Sequence, residues 1–208
     1  MATKNKKLSL RREAFKRMEQ MHPHQILLYV SMIGSGVIFL FMIVAFTASR
    51  PEQMDFLKIE FPKSFIISTL VLLSSSFTVA RVYPAYLNDN IEEIKKWLGI
   101  TFLLGLLFSV LQFTGWQELQ AKNILFNGQR SGAYLYVISG MHVIHMAGVL
   151  IFALYLLMEA HNISKDAVKH LMYATNPYQK VKFKMLNDFW HFVDVLWIVL
   201  FIYFLFSF

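Results

Sequence analysis

Five long apolar runs, separated by short polar stretches, organise this chain. They are Ile26 to Ser49, Ser64 to about Ala80, Trp97 to Trp116, Ser131 to Met158 and Asp188 to Phe208. Each approaches or exceeds the 17–25 residues that carry a helix across the hydrocarbon core of a bilayer. The pattern predicts an all-α fold, an integral membrane bundle of five transmembrane helices. The first run is too long for the apolar core of a secretory signal, so it is expected to be a retained span. Arg50-Pro51 would stop that first helix. The polar breaks after the later runs are expected at Tyr83 to Lys96, Gln117 to Arg130 and Glu159 to Asn187. Residues 1–24 are expected to be a basic cytoplasmic segment and 25–208 the membrane domain. Leu10 to Met21 would form a short surface helix with its bases near anionic headgroups.

The distribution of basic residues orients the bundle. Seven precede Ile26, three lie from Arg81 to Lys96 and five from Lys165 to Lys184, against five in the alternate stretches. Fifteen against five predicts the N-terminus inside and the C-terminus outside. The formal charge of +7 could suit nucleic acid, but bases spread between apolar spans set membrane topology. Membrane lipid and membrane protein are therefore the expected partners, not nucleic acid. With 56% hydrophobic residues, 20 Phe and no Cys, the chain excludes disulfides, thiolate metal sites and cysteine nucleophiles.

Polar residues inside the apolar runs are the candidate functional positions, because each needs a partner or water at depth. The second run carries Ser74, Ser75 and Ser76, whose small hydroxyl side chains let membrane helices approach closely. The fourth run contains His142 and His145. The fifth opens with Asp188, Trp190, His191 and Asp194, and Trp197 follows. Depth along the two last runs predicts that Asp194 pairs with His145, with His191 one turn away as the competing partner. His22 and His24, flanking Pro23, are expected to be surface polar residues. No nucleophile–base pair, phosphate loop or metal-ligand cluster is present, so catalytic residues are not expected.

The segment WHFVDVLW, Trp190 to Trp197, closely resembles the C-terminal signature of subunit III of the haem-copper oxidases, the cytochrome c oxidase family. SGMHVIHMAGVLIF, Ser139 to Phe152, is similar to that family's His-x-x-His segment, with Met141 in place of an aromatic. Leu111-Gln112 followed by Trp116 and Glu118 resembles its Leu-Gln and acidic-aromatic stretch. There Gly115 stands where a first acid would be, and Glu118 matches the second. The resemblance runs from about Ser64 to Phe208 and identifies the short form, which begins at the third family helix. Ser35 lies near the position of that helix's carboxylate, so functions attributed to the acid do not transfer.

The resemblance implies a non-catalytic subunit of a proton-pumping terminal oxidase in the bacterial cytoplasmic membrane. Haem and copper would sit in partner subunits, and bound phospholipid in this one. The implied partners are catalytic subunit I, the other oxidase subunits and a larger respiratory supercomplex. The implied role is to sustain proton uptake and active-site integrity. His142, His145, His191, Asp194, Glu118, Trp190 and Trp197 would be structural polar and aromatic residues. Subunit III of a quinol oxidase remains open as an alternative. So does a small haem b cytochrome, in which His191 and a histidine of the fourth run would ligate haem. A transporter is disfavoured, because no inverted repeat is visible.

Overall fold

The computed structural model describes residues 21–48, 62–122, 124, 126, 130–164, 173 and 176–207. Five helices follow in order: α1, Pro23–Ala48; α2, Lys63–Leu87; α3, Ile91–Ala121; α4, Arg130–Ile163; and α5, Pro177–Ser207. All five are long and apolar enough to cross a membrane. No strand occurs among the described residues. The chain is thus an all-helical membrane bundle. The expected helix at Leu10 to Met21 lies almost wholly outside the described residues.

Contacts between helices fix an up-and-down arrangement. Tyr29 on α1 meets Asp188 in the first half of α5, and Thr47 meets Tyr203 near its end, so α1 and α5 run parallel. Ser76 meets His191 and Thr69 meets Trp197, so α2 runs against α5. The start of α5 and the end of α4 meet through Lys182 and Glu159. One end of the bundle therefore gathers the starts of α1, α3 and α5 with the ends of α2 and α4. That end carries Arg81, Lys95, Lys96, Lys180, Lys182 and Lys184.

Helix boundaries differ from the polar breaks expected from sequence. Tyr83-Pro84 lies inside α2, and the turn is confined to Asn88 to Asn90. Asp89 there adopts φ 53°, the left-handed region that Asp and Asn tolerate better than most residues. Asn90 then caps α3, its side-chain oxygen accepting from the Glu93 N–H at 3.1 Å. Glu92 and Glu93 fall in the first turn, where the helix dipole favours negative charge, rather than in a loop. Glu118, expected in a loop, is on α3. The stretch from Glu159 to Asn187 is helical at both ends, because Pro177 occupies the first position of α5. Proline suits that place, its missing N–H being unbonded there in any case. Asn176 supports the start by accepting from the Tyr178 N–H at 2.9 Å.

Helices in lipid gain nothing from burying apolar surface against each other, so association rests on close packing and interhelical hydrogen bonds. Helices α2 and α3 share the tightest seam. Thr78 and Thr101 hydroxyls meet at 2.8 Å, and the Gln112 amide donates to Ser68 at 2.9 Å. Gly115 allows the Phe65 ring to lie directly on the α3 backbone, where a Cβ would strike it. Gly105 does the same for Trp190 and Leu150: an added Cβ would stand 3.0 Å from the indole and 2.7 Å from the leucine methyl. Helix α1 is peripheral. Only 6% of its most apolar window is buried, against 33–44% for the other four helices.

Candidate functional site

The WHFVDVLW segment supplies two indoles that face α2. Trp190 Nε1 donates to Ser75 Oγ at 3.0 Å, and Trp197 Nε1 donates to Thr69 Oγ1 at 2.9 Å. Seven residues separate the tryptophans and six separate the hydroxyls, two turns on each of two antiparallel helices. Both indoles are essentially fully buried. Each hydroxyl also donates back to its own helix, Ser75 to the Leu72 carbonyl and Thr69 to that of Phe65, so each links the α2 backbone to an indole of α5. A third indole repeats the device between α3 and α4, with Trp116 Nε1 donating to Ser139 Oγ at 3.0 Å. Trp116 closes the third apolar run, yet α3 runs five residues beyond it and its indole packs inward.

The three histidines of the spans turn to three different neighbours. His142 is fully buried, with its ring 4.9 Å from Trp197 and 5.6 Å from Phe108. Neither of its nitrogens has a hydrogen-bond partner among the described residues. His145 faces α1 instead: its Nε2 lies 2.6 Å from Ser35 Oγ and its Nδ1 lies 2.8 Å from the Met141 carbonyl. A carbonyl only accepts, so Nδ1 carries the proton and Nε2 of the neutral ring accepts from Ser35. His191 faces α2, its Nδ1 being 2.9 Å from Ser76 Oγ.

The expected pairing of Asp194 with His145 does not form. His145 sits on the flank of α4 that meets α1, whereas Asp194 sits on the flank of α5 that meets α2. The competing neighbour is the one found. His191 Nδ1 is 4.0 Å from Asp194 Oδ2, one turn away on the same helix. The carboxylate is 3% exposed, and neither oxygen has a hydrogen bond among the described residues. Ser35, Ser75, Ser76, His145, Trp190, His191 and Asp194 all lie within about two residues of the midpoint of their helices, about 3 Å. They form a polar belt across the middle of the bundle. No group of three or more metal-ligating residues occurs among the described residues.

Glu118 acts at one end of the bundle. Pro62 gives α2 no side-chain cap, and Glu118 reaches across from α3 to supply one. It accepts from the Lys63 N–H at 2.9 Å and from the Ser64 hydroxyl. A carboxylate at a helix N-terminus is favoured by the orphan N–H groups and by the dipole. At the opposite end, Lys182 lies 3.0 Å from both oxygens of Glu159, and Gln179 donates to the same carboxylate at 2.7 Å. Tyr173 is buried beside Tyr86 and Phe183, and that burial pushes its phenol above its ordinary range. His22 and His24 lie at the same end, their Nδ1 atoms 3.0 Å apart and their rings against Tyr178.

The sequence singles out Ser75 as a close-packing position but neither Thr69 nor Ser139, although the spacing of the hydroxyls on α2 was a usable signal. Ser68, Thr69, Ser75 and Ser76 recur at about seven residues, one stripe of a helix, matching the Trp190–Trp197 interval on the antiparallel neighbour.

Comparison with known proteins places this geometry. The family described as cytochrome c oxidase subunit III matches residues 54–207, which contain α2 to α5. The probable cytochrome c oxidase subunit 3 of Mycobacterium tuberculosis is 33% identical over 139 residues, 66% of this chain and 64% of the relative. The cytochrome bo(3) ubiquinol oxidase subunit 3 of Buchnera aphidicola is 33% identical over 138 residues, 65% of each. The cytochrome c oxidase subunit 3 of Bacillus sp. PS3 is 29% identical over 137 residues, 65% of this chain and 60% of the relative. These matches thus span somewhat less than two thirds of the relatives' own length.

Proposed function

The chain belongs to the cytochrome c oxidase subunit III family, and on that premise we propose that it is an accessory integral subunit of a haem-copper terminal oxidase. Haem and copper belong to partner subunits, and the chain sits beside the catalytic subunit in a bacterial cytoplasmic membrane. Its N-terminus and the basic segment 1–24 are cytoplasmic, as the fifteen-to-five distribution of basic residues favours. The basic end of the bundle draws anionic phospholipid headgroups.

The family match over α2 to α5 carries this reading. Within those four helices, two indole–hydroxyl bonds tie α5 to α2 and a third ties α3 to α4, which supports a rigid scaffold. A rigid polar bundle fixes a neighbouring helix and the water and lipid beside it, and so sustains proton uptake by the catalytic subunit. The divergence of His142, His145 and His191 weighs against a haem b cytochrome. A second reading, service in a quinol oxidase, is favoured by the ubiquinol oxidase relative, as similar as the mycobacterial one.

Removal of the chain tests the role. Oxidase lacking only this subunit but fully metallated should begin oxygen reduction at near-normal rate and then lose activity sooner, or take up protons more slowly. Complete loss of initial turnover would contradict an accessory role.

A further inference from the structure

Helix α1 packs on α4 and α5, and α2 packs on α3 and α5, while α1 and α2 share no substantial contact. The outer surface of α5 is therefore the floor of a furrow between them. Its α1 side holds an apolar cavity of about 330 Å³, bordered by Gly36, Phe39, Phe192, Val195 and Val199. Its α2 side carries Ser76, which meets His191, and Leu73, exposed on the same stripe of the helix as Thr69 and Ser76. Small residues at Gly36 and Ser76 permit close approach of another backbone.

One polar group lies on this floor. His191 stands near the midpoint of α5 and keeps 37% of its side chain exposed. Ser76 and Asp194 both approach its Nδ1, while Nε2 has no hydrogen bond among the described residues. Water is absent at that depth, so an exposed ring nitrogen stays unsatisfied unless protein meets it. A lipid tail would fill the apolar cavity and leave Nε2 unbonded. A helix bearing a hydrogen-bonding side chain at mid-depth satisfies both.

We propose that this furrow seats one transmembrane helix of another oxidase subunit, with a polar side chain of that helix bonded to His191. The inference rests on the oxidase assignment above. A photo-crosslinking amino acid placed singly at Leu73 and at Val195, in the complex within native membranes, tests it. Leu103 on α3 and Ile151 on α4, 65% and 70% exposed, serve as controls on other faces. Leu73 and Val195 should both capture a transmembrane segment of one other oxidase subunit, and the controls should not capture that segment. Capture of lipid alone, or of a second copy of this chain, at Leu73 and Val195 would overturn the furrow. Failure of the chain to co-isolate with haem- and copper-bearing subunits would instead overturn the oxidase assignment.

A substitution series supplies an independent readout. His191→Phe should lower retention of the subunit in detergent-isolated complex by about fivefold to tenfold, the scale of one interhelical hydrogen bond. His191→Gln keeps a hydrogen-bonding group and should restore most of it. Equal retention of the Phe variant and the unaltered chain would overturn the proposed bond.

Discussion

Ser35 Oγ and His145 Nε2 meet at 2.6 Å across the seam between α1 and α4. The bond lies near the midpoints of both helices, where no water competes for either group. It ties the peripheral helix α1 to the bundle together with Tyr29–Asp188 at 2.6 Å and Thr47–Tyr203, also at 2.6 Å. The same bond directs His145 away from Asp194.

Ser35→Ala and His145→Ala should therefore be non-additive in the stability of the detergent-solubilised subunit. Coupling of about 0.6–1.7 kcal/mol is expected, the range of interhelical hydrogen bonds in membranes. His145→Ala combined with Asp194→Asn should add to within about 0.5 kcal/mol. Strong coupling in the second cycle and none in the first would reverse the assignment.

The number and order of the helices were legible because apolar runs near the length of a bilayer are an unambiguous signal. Their ends were not. Tyr83-Pro84 reads as a break, yet the residues around it continue α2. Pro177 lies within the polar break expected at Glu159 to Asn187, yet it opens α5. In both cases proline's fixed φ suits a helix, and its cost depends on which N–H and carbonyl it leaves unbonded. Depth gave the wrong partner for Asp194 because it says nothing about rotation around the helix axis. His145 and Asp194 were compatible in height and face different seams. The indole–hydroxyl pairs illustrate the reverse: seven-residue spacing on α5 and six-residue spacing on α2 contained the register.

Glu118→Ala should remove the borrowed cap of α2 and lower stability by about 0.5–2 kcal/mol. Glu118→Gln retains one acceptor and should fall between the Ala variant and the unaltered chain. Thermal unfolding in detergent orders the three. An Ala variant as stable as the unaltered chain would show that the cap contributes nothing.

Glycines divide by their surroundings. Gly105→Val would press on Trp190 and Leu150 and should cost about 1–3 kcal/mol through overpacking. Gly99 has no atom within 4 Å of the position its Cβ would take. Gly99→Ala should be neutral or stabilising by up to about 1 kcal/mol through helix propensity. Melting temperatures of the two variants compare them directly, and similar losses would contradict the close packing assigned to Gly105.

Opposite ends of α3 test the orientation. Single cysteines replacing Glu92 and Ala121 in this cysteine-free chain should respond differently to an impermeant thiol reagent in intact cells. Ala121→Cys should label and Glu92→Cys should be protected until the membrane is opened. The opposite pattern would place the N-terminus outside.

Membership of a terminal oxidase is tested most directly by isolating the affinity-tagged chain from its native membrane in mild detergent. Its partners can then be identified and haem and copper measured. The account predicts a stoichiometric complex with a haem- and copper-bearing catalytic subunit, and loss of the haem absorbance from this chain when the subunits are separated. Isolation without any such partner, or a haem band that stays with this chain after separation, would contradict it.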